Sequence, residues 1–432
     1  MLGKRRIYLF FFLLNRTFAY KLTINMEKLL HYVWMHKLLP SKEFVTTDGQ
    51  KIRILELGRH NTNQGPDFCN ARIEMEGMEW VGNVEIHTLS SDWTRHGHHQ
   101  DPVYNTTILH VVGKADAEAF LENGQRLPQI VLEIPPALTD NYHELLHTTD
   151  YPRCHKFVPN IPGLKVHSWL DALLAERMEA RAKRILAILE ECRGDWEQTT
   201  FITLARNFGF GLNGDIFEMW AKRIPLSAAG KHRDNLFQLD SLFLGVAGLI
   251  DRVANEAERD RLMAEYKFLA HKFSLPQAME TSNWHYLRTR PQNFPDVRLR
   301  QLARLFHEGH CSMRSLIETQ SLEEIDQLLS KAGISKASRQ LIIINTVAPL
   351  MFAYDMYRDS YEYRTRATDF LEQLPGEKNY ILRQWQACGL KVGTAYDSQA
   401  LIQLKKEYCD KANCLNCRFG FEYISYTMHN NG

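Results

Sequence analysis

The 432-residue sequence lacks several features that would place it at once. No run of apolar residues approaches the roughly 20 needed to span a bilayer, which excludes a bundle of membrane helices. Neither sign of charge is in excess. With 52 Lys+Arg against 51 Asp+Glu the net charge is +1, so bulk charge gives no reason to expect nucleic acid or an anionic membrane. No repeat period and no low-complexity tract stands out. With 44% hydrophobic and 24% charged residues, long disorder and collagen-like structure are excluded, and eight cysteines in so long a chain do not make a disulfide miniprotein. No complete enzyme signature is present.

What is there is unevenly spread. At about 150 residues per domain the length allows roughly three domains. Residues 26–160 hold 12 Lys+Arg and 18 Asp+Glu, a net of −6, and 11 of the 18 histidines; residues 161–432 hold 35 and 33, a net of +2. An acidic, histidine-rich front part points to metal before it points to DNA. Lys4-Arg5-Arg6, the apolar stretch from Ile7 to Leu14 and Thr17-Phe18-Ala19 imitate a secretory signal, but eight apolar residues are at its short limit. Residues 1–25 are therefore read as an extension ahead of a start at Met26 or, as the alternative, a weak signal-like segment. The Cys-x-x-Cys spacing suits a reducing compartment, so the expected location is the cytoplasm, away from the membrane.

Residues 27–38 have helical spacing. From 44 to 135 the texture becomes short alternating runs separated by Asp48-Gly49, Glu76-Gly77 and Asn123-Gly124, which predicts a mainly antiparallel sheet. Val158-Pro159-Asn160-Ile161-Pro162-Gly163 marks a boundary. Beyond it, helical patterns recur near 166–192, 198–207, 236–250, 254–271, 296–308, 338–356 and 396–408. The expected fold class is α+β: a sheet domain over 26–160 followed by an all-helical domain over 161–432. The nearly continuous apolar run from Ile342 to Met351 reads as a buried core helix.

Several strings carry a family resemblance. Asn63-Gln64-Gly65-Pro66-Asp67-Phe68 is followed by Gly82-Asn83-Val84-Glu85-Ile86-His87, Ser91-Asp92-Trp93, His96-Gly97-His98 and Leu109-His110-Val111-Val112. Downstream stand Arg290-Pro291-Gln292-Asn293-Phe294-Pro295 and Tyr408-Cys409 with Cys414-Leu415-Asn416-Cys417. From about Met26 to about Tyr423 the chain resembles a bacterial family catalogued as domain of unknown function 2851, which brings no activity with it.

Gly65-Pro66-Asp67 opening one strand and Glu85-Ile86-His87 on the next also look like the Asp…Glu-x-Lys core of restriction-endonuclease-like nucleases. That resemblance implies a phosphodiester hydrolase whose Asp67 and Glu85 hold Mg²⁺ or Mn²⁺, with Glu56 as an extra acid. His87 stands where lysine is usual; with a pKa of about 6.5 a histidine serves as acid or base near neutrality but is mostly uncharged there. Geometry sets a condition. If Glu76-Gly77 is a two-residue hairpin turn, Ile73 faces Trp80 and Cys69 faces Val84, and Asp67 then points away from Glu85. A bulge beside Pro66, or a three-residue turn, brings it round.

Asp92, His96, His98, His99, Asp101 and His110 form a second constellation. His96 and His98 at i, i+2 share one face of an extended segment; with His87 and His110 they make an alternative histidine/carboxylate site for Zn²⁺, Mn²⁺ or Fe²⁺, as in cupin-like barrels. Trp80, Trp93 and Tyr104 read as packing residues. In the helical part, Arg288, Arg290, Arg298, Arg300 and Arg304 are interleaved with aromatics, a pattern suited to phosphate contacts with DNA or RNA and equally to solvated arginines around a Pro-bounded turn. Cys409-x4-Cys414-x2-Cys417 has metal spacing but wants a fourth ligand, for which Cys388 is the nearest candidate and His429 the alternative; zinc or an iron–sulfur cluster would fit.

Three functions follow: a nuclease-like hydrolase, a non-catalytic scaffold whose acids and histidines are structural, and a histidine-rich metalloenzyme acting on a small molecule or sugar. The first predicts Asp67, Glu85 and His87 around one cavity; the third predicts His87, His96, His98 and His110 in a closed pocket.

Overall fold

The apolar spacing of Leu29, Leu30, Val33 and Trp34 becomes the buried face of helix α1 (26–35) in the computed structural model, which describes residues 26–287 and 289–426. Residues 1–25, Arg288 and His429 lie outside the described residues. Seven strands follow: β1 (Glu43–Val45), β2 (Lys51–Glu56), β3 (Arg59–His60), β4 (Phe68–Met75), β5 (Met78–Leu89), β6 (Thr107–Lys114) and β7 (Gln129–Val131). They form one sheet in the order β1-β2-β4-β5-β6-β7, with β3 also paired to β4. The pairings from β1 to β5 are antiparallel, whereas β5/β6 and β6/β7 are parallel. The parallel pair requires a crossover, supplied by helix α2 (Asp92–Arg95) and two short 3-10 turns. Phe68, Ala71, Ile73, Val84, Ile86, Leu109 and Val111 alternate into the core. Trp93 and Tyr104 are packing residues, as expected, and Trp93 Nε1 donates to the Phe120 carbonyl at 2.9 Å.

The β4–β5 hairpin decides the site. Glu76 and Gly77 both have positive φ (49° and 79°), a two-residue turn that pairs Met75 with Met78 and Ile73 with Trp80. The register then shifts between Phe68 and Ala71, and Phe68 rather than Cys69 faces Val84. The bulge is therefore not beside Pro66 but at Cys69-Asn70, where Asn70 takes φ +58° and its N–H donates to Asn83 Oδ1 at 3.2 Å. An asparagine tolerates that backbone better than most residues, and Asn83 supplies the partner the ladder no longer offers. One extra residue reverses the alternation, and Asp67 comes to face Glu85.

The chain divides into two compact units: residues up to Ile161 together with those from Glu407 onward, and Pro162–Lys406. The break at 161/162 falls in the proline-rich boundary segment. The second end differs from the expectation of a single helical domain over 161–432. Helix Arg418–Ile424 packs on α3 (Pro136–His147), where Asn141 Nδ2 donates to the Tyr423 and Ile424 carbonyls and Tyr423 Oη donates to Glu144 Oε2.

The second unit is helical throughout. Side chains cap its helix starts: Asp195, Asn235, Asn255, Ser321 and Thr394 each accept a backbone N–H of the first turn. The apolar run at 342–351 is a core helix interrupted by a π-turn over Ile343–Val347, just ahead of Pro349. Proline cannot donate to the carbonyl four residues back. That carbonyl, of Asn345, instead accepts from Asn207 Nδ2 at 2.9 Å. No described helix is long and apolar enough to cross a membrane.

Candidate metal centre

Asp67 is set by the loop before β4. Asn61 N–H donates to the Asp67 carbonyl at 2.7 Å, and Asn61 Nδ2 to that of Pro66 at 3.0 Å. From there Asp67 and Glu85 lock across the two strands: Asp67 N–H donates to Glu85 Oε2 at 3.0 Å, and Ile86 N–H donates to Asp67 Oδ2 at 2.9 Å. Asp67 Oδ2 also lies 3.4 Å from His31 Nε2 on α1.

Burial drives the Asp67 carboxyl up to about 7, with Glu85 adding to the rise and the Ile86 N–H opposing it. Burial likewise takes Glu85 up to about 8 against the Asp67 N–H, and Glu27 on α1 adds to it. Two desolvated acids with no cation between them resist ionising together.

The histidines complete the corner. His87 follows Glu85 on the same face of β5, and Glu85 pairs in register with His110 of β6. His96 and His98 do not lie on an extended segment. His96 ends α2, Gly97 takes φ +82°, and His98 opens a 3-10 turn, so both rings swing back onto His87. His87 Nε2 stands 3.1 Å from His96 Nδ1 and 3.6 Å from Glu85 Oε1, and His98 Nε2 is 3.2 Å from the same oxygen. The ligand nitrogens of His87, His96 and His98 all lie within 4.8 Å of one another.

A hydrogen-bond relay fixes the tautomers. With its amide oriented to accept from Ala119 N–H at 2.9 Å and donate to the Ala117 carbonyl at 3.2 Å, Gln129 turns its oxygen to His110 Nδ1 at 3.4 Å. His110 Nδ1–H donates there, leaving Nε2 to accept from His87 Nδ1–H at 2.9 Å. The Nε2 lone pair of His87 is thereby aimed at His96, His98 and Glu85. Burial first, and then the neighbouring imidazoles, hold His87 and His110 far below the ordinary histidine pKa, so both are neutral. A tetrahedral ion with bonds of about 2.0–2.1 Å wants ligand atoms about 3.3 Å apart. The His87–His96, His87–Glu85 and His98–Glu85 separations are near that spacing, the set of ligand atoms mutually within 4.8 Å being the three histidines, and the His110–Gln129 pair is the outer support such a centre needs.

The corner opens outward. His96 is exposed and His98 half-buried. On the other side a cleft of about 620 Å³ runs along α1, lined among others by Glu27, Lys28, His31, His60 and Lys411.

The family described as Protein of unknown function (DUF2851) matches residues 27–380. The chain belongs to this family. No curated protein and no solved structure matches it. The DUF2851 match takes in every residue of the corner and Cys154, and ends before Cys409.

The structure thus brings together Asp67, Glu85, His87, His96, His98 and His110. Glu56 is not among them: it is exposed at the end of β2, past a register shift, and pairs with Arg72 at 2.9 Å. Two arginines of the proposed nucleic-acid stretch are committed elsewhere. Arg298 is buried, stacked 4.2 Å above the Phe210 ring, and donates to Asn293, Gln301 and Ser338; Arg300 pairs with Glu258 at 2.8 Å. Arg290 and Arg304 are exposed. Cys388 ends a helix of the 162–406 unit, and its Sγ donates to the Gln384 carbonyl at 3.1 Å. Sequence reasoning missed Glu27 and His31, which sit four apart on α1 and share a face, and Cys154, which has no neighbouring cysteine to draw attention to it.

Proposed function

We propose that the sheet unit is a metal-dependent phosphodiester hydrolase acting on nucleic acid, its ion held by His87, His96, His98 and Glu85 with Asp67 alongside. One observation carries the reading: two acids eighteen positions apart in sequence meet, through the Asn70 bulge, at the corner that also collects the histidines. Three imidazoles and a carboxylate suit Mn²⁺, Zn²⁺ or Fe²⁺ better than Mg²⁺, which prefers oxygen ligands. Such an ion supplies a Lewis acid for a phosphoryl oxygen and a low-pKa water. The chain's own part is to aim the lone pairs through Gln129 and His110 and to hold Glu85 in place through the Asp67 backbone N–H. Asp67 also faces His31, which lines the cleft, and there it can accept a proton from water.

The second reading, a metalloenzyme for a small molecule, draws on the nitrogen-rich donor set. Against it stands the exposure of His96: the corner is open rather than a closed pocket, which suits a phosphate carried on a polymer. The test is cleavage of DNA and RNA by the purified chain with Mn²⁺, beside Glu85→Ala. A metal-dependent cut that falls roughly 10²-fold or more in the variant is expected. Equal residual cleavage in both proteins, or a bound ion with no cleavage of either polymer, removes the nuclease assignment.

A further inference from the structure

The cysteines of the C-terminal segment do find a fourth partner, from the other end of the same unit. Cys154 lies just after α3, in a loop fixed by Arg153, whose NH1 donates to the Leu145 and Leu146 carbonyls at 2.9 and 2.8 Å. Cys409 ends a π-turn. The chain then folds back, with Asn413 N–H on the Tyr408 carbonyl at 2.8 Å and Ala412 in the left-handed region at φ +51°. Cys414 opens a 3-10 turn closed by Cys417 N–H on its carbonyl at 3.2 Å, and Cys417 caps the helix Arg418–Ile424. Position 420 is glycine because a Cβ there would sit 2.0 Å from the Cys414 carbonyl oxygen. That absence of a side chain lets the helix and the turn close on each other.

The four thiols line one small cavity, with Leu145 and Arg153 among its other walls. Cys154 and Cys417 are buried, and Cys154 feels the charge of all three others. None of the eight cysteines is in a disulfide. Cysteines drawn from positions 154 and 409–417 have no packing reason to converge, since other small apolar residues would fill such a place as well.

The size of the gap selects the occupant. Four sulfurs around one zinc ion, bonded at about 2.3 Å, lie about 3.8 Å apart and leave no room between them. Among the described residues no three of these sulfurs lie all within 4.8 Å of one another, although they line one small cavity. Four thiolates spaced more widely than one ion would draw them match a cube of iron and sulfide better than a single ion.

We propose that Cys154, Cys409, Cys414 and Cys417 ligate a [4Fe–4S] cluster. All four positions come from the protein, so the cluster is a staple: within the sheet unit it ties the loop at 154, ahead of the exit at Ile161, to the segment that follows the return at Glu407. It also orders Lys411–Asn416, whose residues form a wall of the cleft against α1. That last role concerns the proposed active site; the cluster itself stands or falls independently.

The test is analysis of iron, acid-labile sulfide and zinc in the full chain purified without oxygen, with its visible absorption spectrum. About four irons and four sulfides per chain are expected for a [4Fe–4S] cluster, and sulfide separates it from any iron at the histidine corner. One zinc without sulfide, or neither metal nor sulfide, overturns the proposal on the wild-type protein alone, whether or not any variant folds. Cys388→Ser is expected to keep sulfide at the wild-type level and Cys154→Ser to lose it. A folded Cys154→Ser chain with undiminished sulfide overturns the ligand assignment.

Discussion

The histidine corner and the cysteine knuckle belong to the same unit and are assembled in opposite ways. The corner takes most of its donors from residues 67–110, from strands paired side by side and one crossover. It keeps an exposed edge at His96. The knuckle joins position 154 to 409–417, and its candidate ligands are all thiols. An open site with mixed nitrogen and oxygen donors leaves a coordination position for chemistry, whereas a site filled by four protein ligands stabilises a fold. The contrast teaches that metal-type residues in one domain need not share a task, and that access and donor set separate the tasks.

The strongest way to break the comparison is to remove a thiol. Cys414→Ser is expected to lower the thermal midpoint by about 10 °C or more, as loss of a structural centre costing several kcal/mol would. It is also expected to leave ion binding at the histidine corner intact. A midpoint unmoved in a calorimetric scan would make the knuckle dispensable. A smaller effect tests the relay: Gln129→Leu takes the acceptor from His110 Nδ1 and is expected to weaken Mn²⁺ binding about 10–100-fold, read by isothermal titration. Unchanged affinity would mean the tautomer of His87 is set otherwise.

The smallest effect is in pH. Asp67 and Glu85 have folded pKa values raised to about 7 and 8, above the ordinary 3.8 and 4.5. Without metal, their contribution to stability is full below the ordinary values and is lost as pH rises through the folded ones. A bound cation holds both acids ionised and removes that loss, so the gain in midpoint on adding Mn²⁺ is expected to be larger at pH 8 than at pH 6. A gain that shrinks with pH would place the ion away from these acids.

Much of this was legible because it is local. Alternation and turn residues gave the strands, Glu76-Gly77 gave the hairpin register down to Ile73–Trp80, and helical spacing gave the approximate places of several helices. The clustering of histidines in residues 87–110 was visible as composition. What was hidden depends on closure over distance or on a single backbone angle. The bulge at Asn70 is an ordinary asparagine until its φ is known, yet it determines whether Asp67 faces Glu85. Cys154 is 255 positions from Cys409, and no periodicity links them. The parallel pairing of β5 with β6 follows from a crossover through α2 that reads in sequence as a histidine-rich loop. Arg298 shows the converse: a basic residue in a nucleic-acid-like pattern whose guanidinium is spent on Phe210, Asn293 and Ser338.

The most direct test is Mn²⁺ binding followed by electron paramagnetic resonance in the full chain and in His98→Ala, with the sulfide content of each measured alongside. The corner as described predicts one tight site per chain with nitrogen coupling, lost in the variant while its sulfide stays at the wild-type level. Mn²⁺ bound equally by both proteins, with no nitrogen coupling in either, would contradict it.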